Sequence, residues 1–363
     1  MIFKKNENIC QFSNSHMIRE IRDIHTNVFD LLSFSSYNIM EYIFRKDKNN
    51  MSNTKVITIY NQKGGVGKTT TTINLAETLG RDFHKNVLVI DNDAQCSLSF
   101  LANLAIKNNG KAEDEEGQAT LGYLEQLYQW NGIIPDYSDF EEAIIRPKYL
   151  KSVQKGFVWN DEEYDFHFDL LPSVGKDLSL AEIIYAAPSN EPFIVQPQNR
   201  PQGTAILRLL VDCIKEYFDY DYIFIDCPPS LGILSIGALL ASDSLIIPTT
   251  TDMLSTIGID TIINNLNDLG QVLPDFKVRG ILFNSYTDTK FDNEAVADIE
   301  AYALENEIPI FKTKIPRTLQ LKKLSSTDEI AVQQNSKEWV DYRQAMYSLA
   351  KEIVEQDERE GAY

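Results

Sequence analysis

Cysteine is scarce. Its four copies, Cys10, Cys96, Cys213 and Cys227, are scattered and form no CxxC pair. That is poor material for a disulfide framework or a zinc site, and it fits a reducing cytosol. No apolar run reaches the roughly 20 residues that span a bilayer. The N-terminus MIFKKNENICQFSNSH lacks a continuous apolar stretch before a small-residue cleavage site, so no signal peptide is expected and the expected location is cytoplasmic. Positive charge is short too, with 34 Lys and Arg against 53 Asp and Glu and a net charge of −19. Such a balance excludes a surface coated in basic residues but leaves room for one local basic patch. No internal repeat is present.

What is there is ordinary for a folded chain. Over 363 residues, 43% hydrophobic and 24% charged content argues for a large core and against wholesale disorder. The first fifty residues differ from the rest. Ile18, Ile21, Ile24, Val28, Leu31 and Leu32 recur at helical spacing, and the polar run Lys46–Asn50 leads to Met51, which reads like a natural start. Two readings of residues 1–50 stand open: sequence upstream of the real start, or a short helical partner-binding arm.

From Met51 onward strand and helix signals alternate, the pattern of a mainly parallel α/β sheet. Strands are expected at Val56–Tyr60, Val87–Asp91, Tyr222–Asp226, Leu245–Pro248 and Val278–Asn284. Helices are expected at Lys68–Leu79, Ala205–Phe218, Ile257–Leu269, Asp292–Glu305 and Lys337–Glu355. The strands are nearly continuous apolar runs, as burial on both faces requires. Two stretches break the rhythm and are expected as insertions over the sheet edge: an acidic, aromatic one at about 105–167, and one at 188–201 carrying Pro188, Pro192, Pro197 and Pro201. Residues 51–356 are expected as one ATPase domain and 357–363 as an acidic tail.

The motif that carries chemistry is QKGGVGKTT, Gln62 to Thr70, between an expected strand and an expected helix. A glycine-rich turn lets successive backbone N–H groups point at phosphate oxygens, with a helix N-terminus behind them. Gly64, Gly65 and Gly67 supply that backbone, with Val66 between them. Lys68 would reach the β- and γ-phosphates, and Thr69 would ligate Mg²⁺ through its hydroxyl. The standard P-loop begins with glycine; Gln62 stands there instead, followed by a second lysine, Lys63.

The string NQKGGVGKTTTTINLAETL resembles the deviant Walker A motif of the ParA/MinD superfamily, and its Asn61-Gln62 opening is ParA-like. The resemblance implies a doubly wound, mostly parallel P-loop NTPase sheet with helices on both faces. Further segments extend it from about Lys55 to Lys351. Asp91-Asn92-Asp93-Ala94-Gln95 is similar to the family's D-x-D-P-Q, with Ala94 replacing proline; the resemblance implies that Asp93 polarises the attacking water and puts Asp91 among the metal ligands. FDYDYIFIDCPPSL is close to ParA text and makes Asp226 the Walker B carboxylate that holds Mg²⁺, with Cys227 a packed thiol. DLLPSVGKDLSLAEI, from Asp169 to Ile183, and KIPRTLQL, from Lys314 to Leu321, also match family segments; the latter implies that Pro316 contacts adenine, with Asn284 a second candidate.

In the superfamily the signature lysine, here Lys63, reaches across a homodimer to the partner subunit's ATP. ParA-type proteins bind DNA non-specifically in that state, are stimulated by a ParB-like partner, and so partition plasmids or chromosomes, associated with the nucleoid. DNA binding by so acidic a chain needs a concentrated basic surface. Between Glu307 and Asp328 no acidic residue occurs, while Lys312, Lys314, Arg317, Lys322 and Lys323 do. The chain ends in acidic residues, which an anionic membrane would repel, so no membrane partner is expected. The cysteine spacing does not suit an iron–sulfur reductase, nor the dispersed Tyr342, Tyr347 and Tyr363 a tyrosine kinase. A related positioning ATPase acting on a non-DNA cargo or the membrane (MinD-like) is the standing alternative.

Overall fold

The computed structural model describes residues 53–107, 120–131, 133–155, 158–173, 203–252, 255–269, 276–318 and 339–360. The elements run in the order β1 (Lys55–Ile59), α1 (Lys68–Phe83), β2 (Val87–Asp91), α2 (Ser97–Lys107), α3 (Leu121–Asn131), α4 (Tyr137–Ala143), β3 (Lys148–Lys155), β4 (Val158–Asp165), β5 (Asp169–Leu171), α5 (Gly203–Tyr217), β6 (Tyr222–Asp226), α6 (Ile233–Ala241), β7 (Ser244–Thr249), α7 (Ser255–Leu269), β8 (Lys277–Phe283), α8 (Lys290–Glu305) and α9 (Val340–Glu360). Six strands form one sheet in the order β5-β2-β6-β1-β7-β8, and every pairing within it is parallel.

Side-chain alternation separates the two faces of this sheet. Ile57, Ile59, Val89, Phe224 and Ile246 share one cluster with Ile73 and Leu79 of α1 and with Tyr342, Met346, Leu349 and Ile353 of α9. Thr58, between the two isoleucines, points the other way, and its hydroxyl donates to the Ala238 carbonyl of α6 at 3.2 Å. Helices therefore cover both faces. The run Tyr222–Asp226 is buried at all five positions, which is why it reads as unbroken apolar text ending in one carboxylate.

The acidic segment between β2 and β5 is more than a solvated decoration. Leu121, Leu124, Phe140 and Phe166 are wholly or almost wholly buried. Ile145 and Leu170 exchange backbone hydrogen bonds of 2.9 and 2.7 Å, so the chain before β3 covers the β5 edge of the sheet. β3 and β4 form a separate antiparallel hairpin in which Lys151 stands opposite Glu162.

The expected acidic tail 357–363 needs correction. α9 continues to Glu360, and Asp357 is an inner anchor, paired with Arg279 at 2.6 Å and accepting the Tyr222 hydroxyl at 2.8 Å. Its charge is matched by a buried guanidinium, which composition alone does not reveal. Residues 1–50, 188–201, Lys322 and Lys323 lie outside the described residues. Among the described residues no helix is long and apolar enough to cross a membrane.

Candidate functional site

The C-terminal ends of the parallel strands converge on one edge of the sheet, where open α/β sheets bind ligands. β1 delivers the glycine-rich loop, β2 delivers Asp91 and Asp93, β6 delivers Asp226, and β8 delivers Asn284. The loop is held open by backbone geometry. Gly65 and Gly67 have φ of +75° and +89°, a region that other residues adopt only under strain. Gly67 is also the N-cap of α1, so the first N–H groups of that 16-residue helix face the loop. Gly64 and Gly65 are exposed, and a Cβ built on either would meet nothing within 4 Å.

The two lysines of the loop part company. Lys68 is buried, and its ammonium group donates to the Lys63 carbonyl at 3.2 Å. Burial pulls its pKa below the ordinary lysine value, opposed by the nearby Asp226, Cys227 and Asp93. An ammonium carries three donors, and one long bond to a carbonyl satisfies it poorly, so a phosphate in the loop fits this group. Lys63 lies 40% exposed and forms an ion pair with Asp252, beyond the end of β7. Gln62 beside it is half-buried, as are Thr69 and Thr70, and Val66 is buried.

The carboxylates divide the work. Asp226 is fully buried and accepts from the Thr69 hydroxyl at 2.7 Å and the Thr72 hydroxyl at 3.4 Å. Burial, reinforced by the charge of Asp91, pushes its pKa up to about 8, against the pull of the Thr69 hydrogen bond and of Lys68. An adjacent hydroxyl and buried carboxylate suit a hard divalent ion. No group of three or more His, Cys, Asp or Glu is placed to hold a metal among the described residues. An ion here would therefore take its remaining ligands from phosphate and water.

Asp91, expected among the metal ligands, is committed to the protein instead. Its Oδ2 accepts from the Ser99 backbone N–H at 2.8 Å and the Ser99 hydroxyl at 2.6 Å, and its Oδ1 faces the Asp93 N–H at 3.3 Å. It thereby fixes the turn that presents Asp93. Asp93 is 7% exposed; its Oδ1 accepts from Gln95 N–H at 2.9 Å and its carbonyl from Cys96 N–H at 2.7 Å. Cys227 is buried and its thiol is pushed well up by that burial, so it stays a packed thiol.

Asn284 sits beneath the loop. Its amide nitrogen donates to the Val66 carbonyl at 3.0 Å and the Thr71 hydroxyl at 3.2 Å, and its oxygen accepts from Ser285 N–H at 3.0 Å. With both ends occupied beneath the loop, it braces the loop. Pro316 is half-buried beside Tyr286, in a short parallel bridge flanked by bonds of 3.0 Å (Tyr286 N–H to Ile315) and 2.9 Å (Arg317 N–H to Tyr286). It thus lies across from Tyr286, which is two residues along from Asn284.

The expected basic segment is less basic in space than in sequence. Lys312 and Arg317 are exposed. Lys314 sits over the rings of Phe283 and Tyr286, 5.6 and 5.0 Å from their centroids. Glu352 of α9 accepts from the backbone N–H groups of Lys312 and Thr313 at 2.9 and 2.8 Å, which places a carboxylate inside the patch. Sequence reasoning missed Ser99, Asp252 and this Glu352; Ser99 acts eight residues from Asp91, the other two across distant segments, and none belongs to a recognisable motif.

With this geometry in view, an AAA domain family model matches residues 54–277. The chain belongs to that family. Relatives include the chromosome partitioning protein ParA of Myxococcus xanthus, 28% identical over 75% of this chain and 78% of its own length. Another is the sporulation initiation inhibitor protein Soj of Bacillus subtilis, 28% identical over 75% of this chain and 88% of its own. The ParA/Soj resemblance read from the loop therefore holds across most of the sequence. Among solved structures, cobyrinic acid a,c-diamide synthase from Mycobacterium smegmatis, with bound ADP and magnesium, superposes with a TM-score of 0.56 at 25% identity over 83% of this chain and 96% of that one. A putative plasmid partition protein from Borrelia burgdorferi, bound to AMPPNP, gives 0.59 at 20% identity over 84% and 99%. The fold is that of the ParA/MinD-type P-loop NTPases.

Proposed function

We propose that the protein is a partition or positioning ATPase: a switch that binds Mg²⁺–ATP, dimerises around it and is reset by slow hydrolysis. The observation that carries this reading is the divergence of the two loop lysines. Lys68 is sunk beneath the loop, while Lys63 emerges from it and reaches a residue outside the phosphate cradle. A lysine that serves only its own subunit's phosphates has no reason to leave them. The relatives named for chromosome partitioning and the solved structures with bound ADP, magnesium or AMPPNP support the same reading.

Residue roles follow from placement. Gln62 to Thr70 wrap the phosphates with backbone N–H groups, Lys68 neutralises charge building on the transferred group, and Thr69 with Asp226 holds the ion, Asp226 acting through water. The ion supplies charge neutralisation between the phosphates. Asp93, held in its turn by Asp91 and Gln95, orients the attacking water. Pro316 lines the base side. Lys63 completes the neighbouring subunit's site, so the homodimer forms only with ATP in place.

The cargo reading is non-specific DNA bound in the ATP state through Lys312, Lys314, Arg317, Lys322 and Lys323, with a ParB-like partner stimulating hydrolysis. A non-DNA cargo is the second reading, favoured by one observation: Glu352 sits inside the basic segment. Sizing by light scattering with ATP tests the switch; a wild-type protein that stays monomeric in Mg²⁺–ATP would overturn it. Retention of the ATP-bound protein on non-specific DNA, falling steeply with salt, supports the DNA cargo. Absence of retention supports the other.

A further inference from the structure

Between Asp91 and Asp93 stands a third polar side chain, the fully buried Asn92. β2 and β6 pair with Asp91 beside Asp226, and one step further the Asn92 N–H donates to the Asp226 carbonyl at 3.0 Å. Neighbouring side chains on a strand point to opposite faces of the sheet. Asp91 turns to Ser99 at the start of α2, whereas Asn92 turns to α6, where its Nδ2 donates to the Leu234 carbonyl at 2.9 Å. The side chain also lies against the buried Cys227 thiol. Its Oδ1, buried with the rest, has no hydrogen-bond partner, and an unmade bond at a buried acceptor costs stability. The Leu234 carbonyl lies in the first turn of α6 and has the helix's own bond to the Ala238 N–H available, so it does not need the amide. An apolar side chain of similar size would therefore serve packing here at least as well. A polar group kept in a core against that balance marks a position held for function.

We propose that Asn92 is a positioning residue for hydrolysis, holding the Asp93 turn against α6 from the sheet face opposite Ser99. This rests on the reading of Asp93 as the carboxylate that orients the attacking water. Tied from one face alone, by Asp91 and Ser99, the turn could pivot about the end of β2. The Leu234 contact on the other face removes that freedom. Hydrolysis is sensitive to it, because a displacement of about 1 Å at a positioned group can cost about 100-fold in rate. Nucleotide binding is not, because the phosphate loop and Lys68 hang from β1 and α1 and make no contact with the Asn92 side chain among the described hydrogen bonds.

The test measures kcat for Mg²⁺–ATP, nucleotide affinity and Tm on the full chain. Asn92→Leu keeps the volume and removes both the Leu234 contact and the orphan acceptor. Its kcat should fall about 10- to 100-fold, with nucleotide affinity unchanged and Tm unchanged or raised. Asn92→Ser, which is too short to reach Leu234 and fits any space the amide leaves, is held to the same kcat and affinity outcomes and stands in if Asn92→Leu folds poorly. In an Asp93→Ala background Asn92→Leu should change the residual rate by no more than about 2-fold, since residues acting through one another are not additive. A kcat within about 2-fold of wild type, or a fall in kcat matched by falls in affinity and Tm, overturns the role of Asn92 and leaves that of Asp93 intact. A full Asn92→Leu effect on the Asp93→Ala background also overturns it. Wild-type turnover in Asp93→Ala alone overturns the reading of Asp93, and the role of Asn92 with it.

Discussion

Gly67 and Asn284, far apart in sequence, are fitted to one another: a Cβ built on Gly67 would collide with the Asn284 amide nitrogen. That amide crosses beneath the loop to hold the Val66 carbonyl and the Thr71 hydroxyl. Gly67→Ala would add this clash to a φ of +89°, a strain on the order of 1–3 kcal/mol. Nucleotide binding should be lost or severely weakened while the far side of the sheet keeps its structure. Fluorescent-nucleotide titration alongside circular dichroism reads both. Asn284→Ala should also weaken binding and cost about 1–3 kcal/mol, because a buried carbonyl loses its donor; a base-contacting residue would instead change base preference and leave stability alone.

Asp93→Ala should cut hydrolysis by about 100-fold or more, since positioning is most of what the protein contributes to phosphoryl transfer. Nucleotide binding should persist, trapping an ATP-bound dimer. Single-turnover hydrolysis and sizing on the same sample decide it, and wild-type turnover would refute the assignment.

Thr69→Ala removes the hydroxyl that meets Asp226 at 2.7 Å. Nucleotide affinity measured with and without Mg²⁺ should differ in the wild type and become nearly equal in the variant. A variant that keeps the full Mg²⁺ effect would move the ion site elsewhere.

The helix that starts in the loop ends beside a histidine. His167 donates its backbone N–H to the buried Glu77 of α1 at 2.8 Å, and its ring Nδ1 lies 2.9 Å from the same carboxylate. The hydrogen bond to Glu77 raises the His167 pKa above its usual value, burial opposing it. A raised histidine contributes stability that is complete below the unfolded pKa of about 6.5 and is lost as pH rises through the higher folded value. The ring is 48% exposed, so the contribution should be small, under about 1 kcal/mol. Thermal melts from pH 6 to 8 should show the decline in wild type and a flatter profile in His167→Gln.

Arg279→Ala should destabilise the protein by about 3–5 kcal/mol, because it leaves Asp357 buried without its partner. Truncation after Gln356 should also be destabilising, since it removes the acceptor of the Tyr222 hydroxyl and the last turn of α9. Denaturant melts of both would show near-wild-type stability if 357–363 were a dispensable tail.

Much of this protein was legible in its sequence because the deciding signals are local. A parallel strand buried on both faces must be a short apolar run, and Val87–Asp91 and Tyr222–Asp226 end where the text ends in a carboxylate. A phosphate loop must place its glycines, lysine and threonine within nine residues, because consecutive backbone N–H groups form the cradle. Those constraints act along the chain, so Gln62–Thr70 reads as a phosphate loop, and Asp93 and Asp226 as carboxylates at or just beyond strand ends, before any fold is known. Tertiary structure decided which neighbours each group meets. Asp91 and Asp93 look equivalent in sequence, yet Ser99 claims the first while the second accepts only the Gln95 N–H of its own turn among the described hydrogen bonds of its side chain. Asn284 looks like a strand-end contact, but pairing of distant strands puts it under Gly67. The acid that meets Lys63 lies 189 positions away. Charge pairing across such separations is set by chain topology, and no local pattern encodes it.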